Sequence, residues 1–228
     1  MLFTFAPMTI WFKETLGILA KEWRLEWRQK YALVGLMMYA LVMVFAVSLV
    51  SGGDIEPSIW NMLFWILLLF VSVNAVAKSF MAESKGQVYY LYTLAGPTPV
   101  LSAKLLFNFL VLLAAGLVSF TGFIFFSPIE IGNISLFLLG LVAGCLGFSV
   151  NLTLVSSITA GAGNKSTLFA VLSFPLTLPL LMASMKVTET AIEGKGIESC
   201  LQEFAFIPGF IVIIAAVSFI LFPSLWRE

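Results

Sequence analysis

Residues 78–104 read KSFMAESKGQVYYLYTLAGPTPVLSAK and interrupt two long apolar runs. Ser84, followed three residues later by Gln87, fits a capping box, and Ala95-Gly96-Pro97 fits a helix stop. These signals predict a helix of about two to three turns between them. One side of that helix carries apolar and aromatic residues, namely Val88, Leu91, Tyr92 and Ala95.

This short helix has two interpretations. It is too short to span a bilayer, and the lysines along the stretch place it on the cytoplasmic side. An apolar-aromatic helix held at that surface is typical of an element that docks a partner protein. The alternative is an interfacial loop that rests on lipid headgroups.

The composition around this stretch is that of a membrane protein. Hydrophobic residues make up 61% of the chain and charged residues 11%, with a mean hydropathy of +1.05. Soluble domains carry roughly 25% charged residues. Two cysteines, Cys145 and Cys200, form neither a disulfide framework nor a metal-site spacing, and histidine is absent. We therefore expect an all-α integral membrane protein.

The apolar runs predict six transmembrane helices, each near the roughly 20 residues that a bilayer core requires. They lie at 31–50, 59–77, 100–126, 134–160, 166–185 and 204–225, within a single permease-like domain.

An amphipathic helix is predicted before the first span, over residues 10–30. Its apolar stripe recurs at steps of three and four and comprises Phe12, Leu16, Leu19, Trp23 and Trp27. Its basic residues lie away from the stripe and are Lys13, Lys21, Arg24 and Arg28. The tryptophans and the following span indicate a helix in the headgroup plane, whereas a soluble amphipathic helix is the alternative.

The basic residues also predict the topology. Ten of the twelve lysines and arginines precede the first span, lie in or beside the loop after the second, or follow the fourth and sixth. Only Lys186 and Lys195 fall on the other side. The positive-inside rule therefore places both termini in the cytoplasm.

The interiors of the spans are nearly free of ionisable groups and carry amides and hydroxyls instead. The amide and hydroxyl residues are Asn74, Asn108, Asn151, Thr153 and Thr177, and we expect them to form hydrogen bonds between helices. Gly140, Gly144 and Gly147 predict close helix approach. Without a titratable relay in the membrane, the energy for any work must come from outside it.

The fifth span contains prolines four residues apart, Pro175 and Pro179. Each removes a backbone donor, so the helix is predicted to kink or open between them, with Thr177 or a neighbouring helix bonding the freed carbonyls. The kink is either a passive feature or a moving hinge. After this span, residues 186–203 alternate acidic and apolar residues, which predicts a short surface helix.

Together these residues resemble the CcmB family, the membrane-permease component of the ABC-type complex in bacterial cytochrome c maturation. The resemblance rests on the interfacial helix, the six spans, the PLTLPLL segment from Pro175, and loop residues Glu83, Gly86, Leu94, Pro97, Pro99 and Lys104. It implies an ABC-2-like permease in the bacterial inner membrane. It also implies a cytoplasmic coupling helix against an ATPase, mapping onto residues 83–94 with Val88, Leu91 and Tyr92.

The resemblance further implies partners. These are the ATPase CcmA, the membrane subunits CcmC and CcmD, and indirectly the heme chaperone CcmE, with two copies of this chain per complex. ATP hydrolysis is then expected in the partner, so the chain itself is no enzyme and binds no cofactor directly. Lacking histidine, it also lacks the commonest neutral axial ligand of heme iron, which leaves methionine, cysteine, tyrosine or lysine.

Three alternative functions remain open from the sequence. An ABC-2-type exporter of a lipid or small hydrophobic molecule would share the loop and the spans. A structural assembly subunit would lack energy coupling. An intramembrane enzyme is disfavoured, because the sequence shows no titratable cluster at one depth.

Overall fold

The computed structural model describes residues 8–28, 30–52, 55–81, 96–160 and 165–225. These residues form seven α-helices and one 3-10 turn, with no strand among them. In chain order the helices are α1 (Met8–Arg28), α2 (Lys30–Ser51), α3 (Pro57–Met81), α4 (Pro97–Phe126), α5 (Ile134–Thr159), α6 (Lys165–Ile192) and α7 (Leu201–Leu225), with the turn at Ile197–Cys200 before α7. Helices α2 to α7 contain six segments long and apolar enough to cross a membrane, which confirms the all-α membrane class.

Two of the differences between the helix bounds and the expected spans have a physical explanation. Helix α4 begins at Pro97, because Gly96 in an extended conformation serves as N-cap and proline fits the first helical position. Helix α6 continues to Ile192, seven residues beyond the span expected to end at 185. The prediction of a separate short surface helix over residues 186–203 is wrong. Val187 and Ala191 are fully buried against the bundle, so the first part of that stretch extends α6.

Helix α5 lies at the centre of the bundle, packed against α3, α4, α6 and α7. Its glycines allow this packing. A Cβ atom on Gly144 would collide with the ring of Trp65, and one on Gly147 would lie 2.6 Å from Leu180 Cδ2. Gly140 makes a similar approach to Val187. The predicted role of these glycines in close helix approach is confirmed.

An aromatic cluster fills the core towards the end of the bundle opposite α1. Its rings belong to α3, α4 and α5 and are Trp60, Phe64, Phe120, Phe123 and Phe137. Centroid distances run from 4.8 Å for Phe120–Phe137 to 6.5 Å for Phe64–Phe120, within the range of favourable ring pairs. The Trp60 indole also donates to the backbone oxygen of Ser127 at 3.0 Å, at the end of α4.

Backbone hydrogen bonds close the same end. The amides of Gly132 and Asn133 donate to the carbonyls of Ile192 and Ala191, at 3.2 and 2.9 Å. Gly194, with a φ of 74°, ends α6 in a Schellman turn, in which Lys195 N–H donates to the Thr190 carbonyl at 3.1 Å. The loop before α5 is thus fixed to the end of α6.

Helix α2 lies at the edge of the bundle. Of its side chains that the structure describes, only Ala40 and Val44 are buried. It packs chiefly on α4, where its Leu41 and Val44 meet Gly122.

Candidate functional site

The predicted loop site is only partly within the described residues. Its members Glu83, Gly86, Val88, Leu91, Tyr92 and Leu94 lie outside them. Pro97 and Pro99 are described and occupy the first turn of α4, where a missing N–H costs no intrahelical hydrogen bond. Their fixed φ angles set the direction in which the chain enters the bundle.

Helix α1 has three distinct faces. Three of the four described residues of the predicted apolar stripe are exposed, namely Phe12, Leu16 and Trp23 at 58%, 50% and 49%. About a quarter turn away, Thr15 and Ile18 are buried against the bundle. The exposed basic residues Lys13 and Arg24 lie on the remaining side. This arrangement suits a helix in the headgroup plane, with one face to lipid, one to water and one to the bundle.

The buried face of α1 contacts the start of α4. Ile18 belongs to a small apolar cluster shared with α4 and the end of α7, whose other members are Val100, Leu101, Ala103 and Phe222. Leu19, Leu105 and Ala160 pack around it. Ile18 was not among the residues of the predicted stripe, because periodicity identifies apolar positions and not their partners.

Lys104 lies beside this cluster and is almost fully buried, with 2% of its side chain exposed. Its ammonium Nζ is 3.8 Å from Oε1 of Glu22 on α1, and the Glu22 side chain is 16% exposed. The same carboxylate oxygen is 3.4 Å from Lys21 Nζ. Lys104 counted in the sequence as a basic residue beside the cytoplasmic loop, but the structure places it between two helices.

The predicted interhelical hydrogen bonds are confirmed for four of the five polar residues. Asn108 Nδ2 donates to Thr153 Oγ1 at 2.8 Å and joins α4 to α5. Asn151 Nδ2 donates to Thr177 Oγ1 at 2.9 Å and joins α5 to α6. Asn74 differs, because it is exposed and bonds the Phe70 carbonyl of its own helix.

Helix α6 runs without a break through Pro175 and Pro179, whose rings are exposed at the bundle surface. The carbonyls that these prolines leave without an amide donor are those four residues earlier, Val171 and Pro175 itself. The Thr177 hydroxyl instead donates to the Ser173 carbonyl at 2.6 Å. The expected rescue by Thr177 is therefore wrong, because a helical threonine reaches the carbonyl four residues before itself.

A second polar network was missed by the sequence analysis. The Trp65 indole donates to Thr188 Oγ1 at 2.7 Å, and that hydroxyl lies 2.7 Å from Asn61 Oδ1. Asn61 Nδ2 donates to the Met185 carbonyl at 2.8 Å. These bonds tie α3 to α6. Both Asn61 and Thr188 lie near helix ends, where polar residues are common, so no signal in the sequence pairs them.

The charged contacts at the end of the bundle opposite α1 are exposed. Lys186 Nζ lies 3.0 Å from Glu189, and Lys195 lies 2.6 Å from Glu193, where its hydrogen bond lowers the Glu193 pKa. No group of three His, Cys, Asp or Glu suited to a metal occurs in the described part of the chain.

The chain matches a known protein family over nearly its whole length. A family model described as CcmB protein matches residues 13–225, from the first turns of α1 to the last residue of α7. It covers all six candidate spans. No curated protein matches the chain closely enough to add to this.

Proposed function

Because the chain belongs to the CcmB family, the heme-exporter permease component of cytochrome c maturation, we propose that it transmits the work of a partner ATPase to heme handling. The partner's ATP cycle would drive release of the heme-loaded chaperone CcmE. The observation that carries this proposal is the contact between α1 and the first turns of α4, which we call the join. Helix α4 follows the predicted coupling segment directly in the sequence. A force applied to that segment would enter the bundle at this join.

The proposal includes an orientation. The α1 end of the bundle faces the cytoplasm, with both termini there and the chain in the bacterial inner membrane. Ten of the twelve basic residues support this by their positions in the sequence. The exposed tryptophan of the lipid-facing stripe, Trp23, supports a position at the headgroup level.

The energy source would be an ATPase subunit, CcmA, with CcmC and CcmD as membrane partners and two copies of this chain. In the described spans the charged side chains lie near the two ends of the bundle, and amide and hydroxyl pairs join the helices between them. The described spans therefore show no row of titratable groups along which an ion gradient could act.

Heme would be handled by the complex, and no side chain of this protein would ligate the heme iron. Histidine is absent from the sequence. Both cysteines are buried, with Cys145 Sγ 3.6 Å from the Leu112 carbonyl inside the core. We predict that the purified chain shows no stoichiometric spectrum of axially ligated heme. An absorption spectrum with one ligated heme per chain would contradict this.

The test of the proposed function is recovery of the ATPase with the tagged chain from membranes. Leu91→Glu and Tyr92→Glu are expected to lose the ATPase, because a charge on the apolar side of the predicted helix opposes docking. The matched control is Ile197→Glu, which places the same charge on an exposed apolar residue at the opposite end. Full recovery with both loop variants would instead favour a structural subunit without coupling through this segment.

A further inference from the structure

We infer that Glu22 and Lys104 are positioning residues that lock α1 to the start of α4, so that a force at Gly96 moves both helices together. This inference rests on the proposed function, because it states how the ATPase stroke enters the bundle. It assigns the interfacial helix a mechanical role beyond membrane anchoring.

The burial of Lys104 is the first step of the argument. A lysine with 2% of its side chain exposed is costly unless a counter-charge lies near it. The Glu22 carboxylate, 3.8 Å away on another helix, provides that charge at ion-pair distance, although too far for a hydrogen bond. Removing either charge would leave the other in a poorly solvated place.

The surroundings strengthen the pair. Ile18 on α1 and Val100, Leu101 and Ala103 on α4 form an apolar wall on the same interface. Such a wall excludes water, and attraction between charges rises as the local dielectric constant falls. The two helices are therefore joined by apolar contact and by charge at one place.

The pair is close to the point where force would enter. Lys104 lies seven residues after Pro97, or about 10 Å along the helix at 1.5 Å per residue. Two prolines in the first turn of α4 fix the backbone there. A displacement at Gly96 would thus reach Lys104, and through it α1, with little loss to local bending.

The far end of α4 is anchored separately. Ser48 on α2 donates its hydroxyl to the Phe126 carbonyl at 2.7 Å, and Trp60 on α3 bonds the Ser127 carbonyl. Phe123 is buried in the aromatic cluster. With one end of α4 fixed in this way, a force on the other end would tilt it, and α1 would follow.

The test uses cells that depend on this chain for cytochrome c maturation. The variants are Glu22→Gln, Lys104→Gln and the charge reversal Glu22→Lys with Lys104→Glu. The control is Lys21→Gln, which removes the other lysine beside the same carboxylate without touching the join between helices. Two quantities are measured for each: the ATPase recovered with the tagged chain, and the covalent c-type heme formed per cell.

The expected result separates positioning from docking. Both single variants retain the ATPase but form about a tenth of the wild-type c-type heme or less, since each removes one of the two charges that join α1 to α4. The charge reversal restores a large part of that heme, and Lys21→Gln resembles wild type. Rescue by reversal is a readout that simple loss of a side chain would not give.

Three results would overturn the inference. These are a Glu22→Gln variant that matches Lys21→Gln, loss of the ATPase from Glu22→Gln, and a charge reversal no better than the single variants. If the single variants do not accumulate in the membrane, restored accumulation in the reversal supports the lock, and continued absence contradicts it. Failure of the proposed function is distinct, because wild-type chain would then be recovered without an ATPase.

Discussion

At the scale of single residues, buried polar atoms differ in how well they are satisfied. Asn151 donates its amide N–H to Thr177, whereas its Oδ1 atom is buried without a hydrogen-bond partner. Thr177 accepts that bond and donates its own hydrogen to Ser173. Because stranding a buried donor costs more than removing both partners, the two side chains of one hydrogen bond differ in importance.

We predict that Thr177→Val destabilises the chain more than Asn151→Leu. The valine strands the Asn151 amide and should cost about 1–3 kcal/mol, whereas the leucine also removes an unsatisfied oxygen and should cost below about 1 kcal/mol. Unfolding in mixed detergent micelles, followed by tryptophan fluorescence, measures both. A larger loss for Asn151→Leu would contradict the assignment of these bonds.

The close packing of Gly144 gives a second prediction. Gly144→Ala places a methyl group against Trp65 and should destabilise by about 1–3 kcal/mol through overpacking. The control is Gly209→Ala in α7, where no neighbouring atom lies within 4 Å of the new Cβ. That variant should be neutral or more stable by up to about 1 kcal/mol, because alanine favours the helix. Equal destabilisation by the two variants in the same unfolding assay would contradict this explanation.

At the scale of helices, periodicity predicted the faces of α1 but not the residues that each face contacts. The apolar stripe of α1 was predicted, and Phe12, Leu16 and Trp23 are indeed exposed on one side. The buried face with Ile18 and Glu22 was not predicted, because a helical wheel identifies faces without identifying their neighbours. From the sequence alone, Glu22 looks like a solvent-exposed residue beside the stripe. Its contact with Lys104 is visible only in the structure.

Spin labels on α1 test its three faces. A label on Leu16→Cys should be more accessible to oxygen, which concentrates in lipid, and a label on Arg24→Cys more accessible to a water-soluble nickel complex. Both native cysteines are buried, so they should label little. Equal accessibility of the two sites to the nickel complex would indicate a helix away from the bilayer.

The prolines of α6 give a further prediction for this helix. Thr177 is hydrogen bonded to α5 between them, which favours a passive shape over a moving hinge. Pro179→Ala restores an N–H donor to the helix and should raise stability by about 1–3 kcal/mol. Formation of c-type heme should stay within about twofold of wild type, as for the lipid-facing control Leu178→Ala. Loss of heme formation at raised stability would show that the hinge is needed.

At the scale of the whole molecule, the six spans could be predicted because each is an apolar run of bilayer length. Which helices pack against one another could not be predicted from these runs. Three glycines hinted at close approach by α5, but its central place depends on contacts with four other helices. The link from Asn61 and Trp65 to Thr188 joins residues more than 120 positions apart, a separation that no local pattern covers.

The two ends of the molecule differ in how they are held. The end opposite α1 combines an aromatic cluster with backbone hydrogen bonds between Gly132, Asn133 and the end of α6. At the α1 end, the contacts that join α1, the start of α4 and the end of α7 include a small apolar cluster and the Glu22–Lys104 ion pair. This difference supports the proposed transmission of force through the α1 end.

The most direct test of this proposal is the side of the membrane on which residues 82–95 lie. Ser84→Cys and, as a control at the opposite end, Ser199→Cys are exposed to a membrane-impermeant thiol reagent in intact cells. We predict that Ser199→Cys is labelled in intact cells, and Ser84→Cys only after permeabilisation. Labelling of Ser84→Cys in intact cells would place the segment away from any cytoplasmic ATPase and contradict the account.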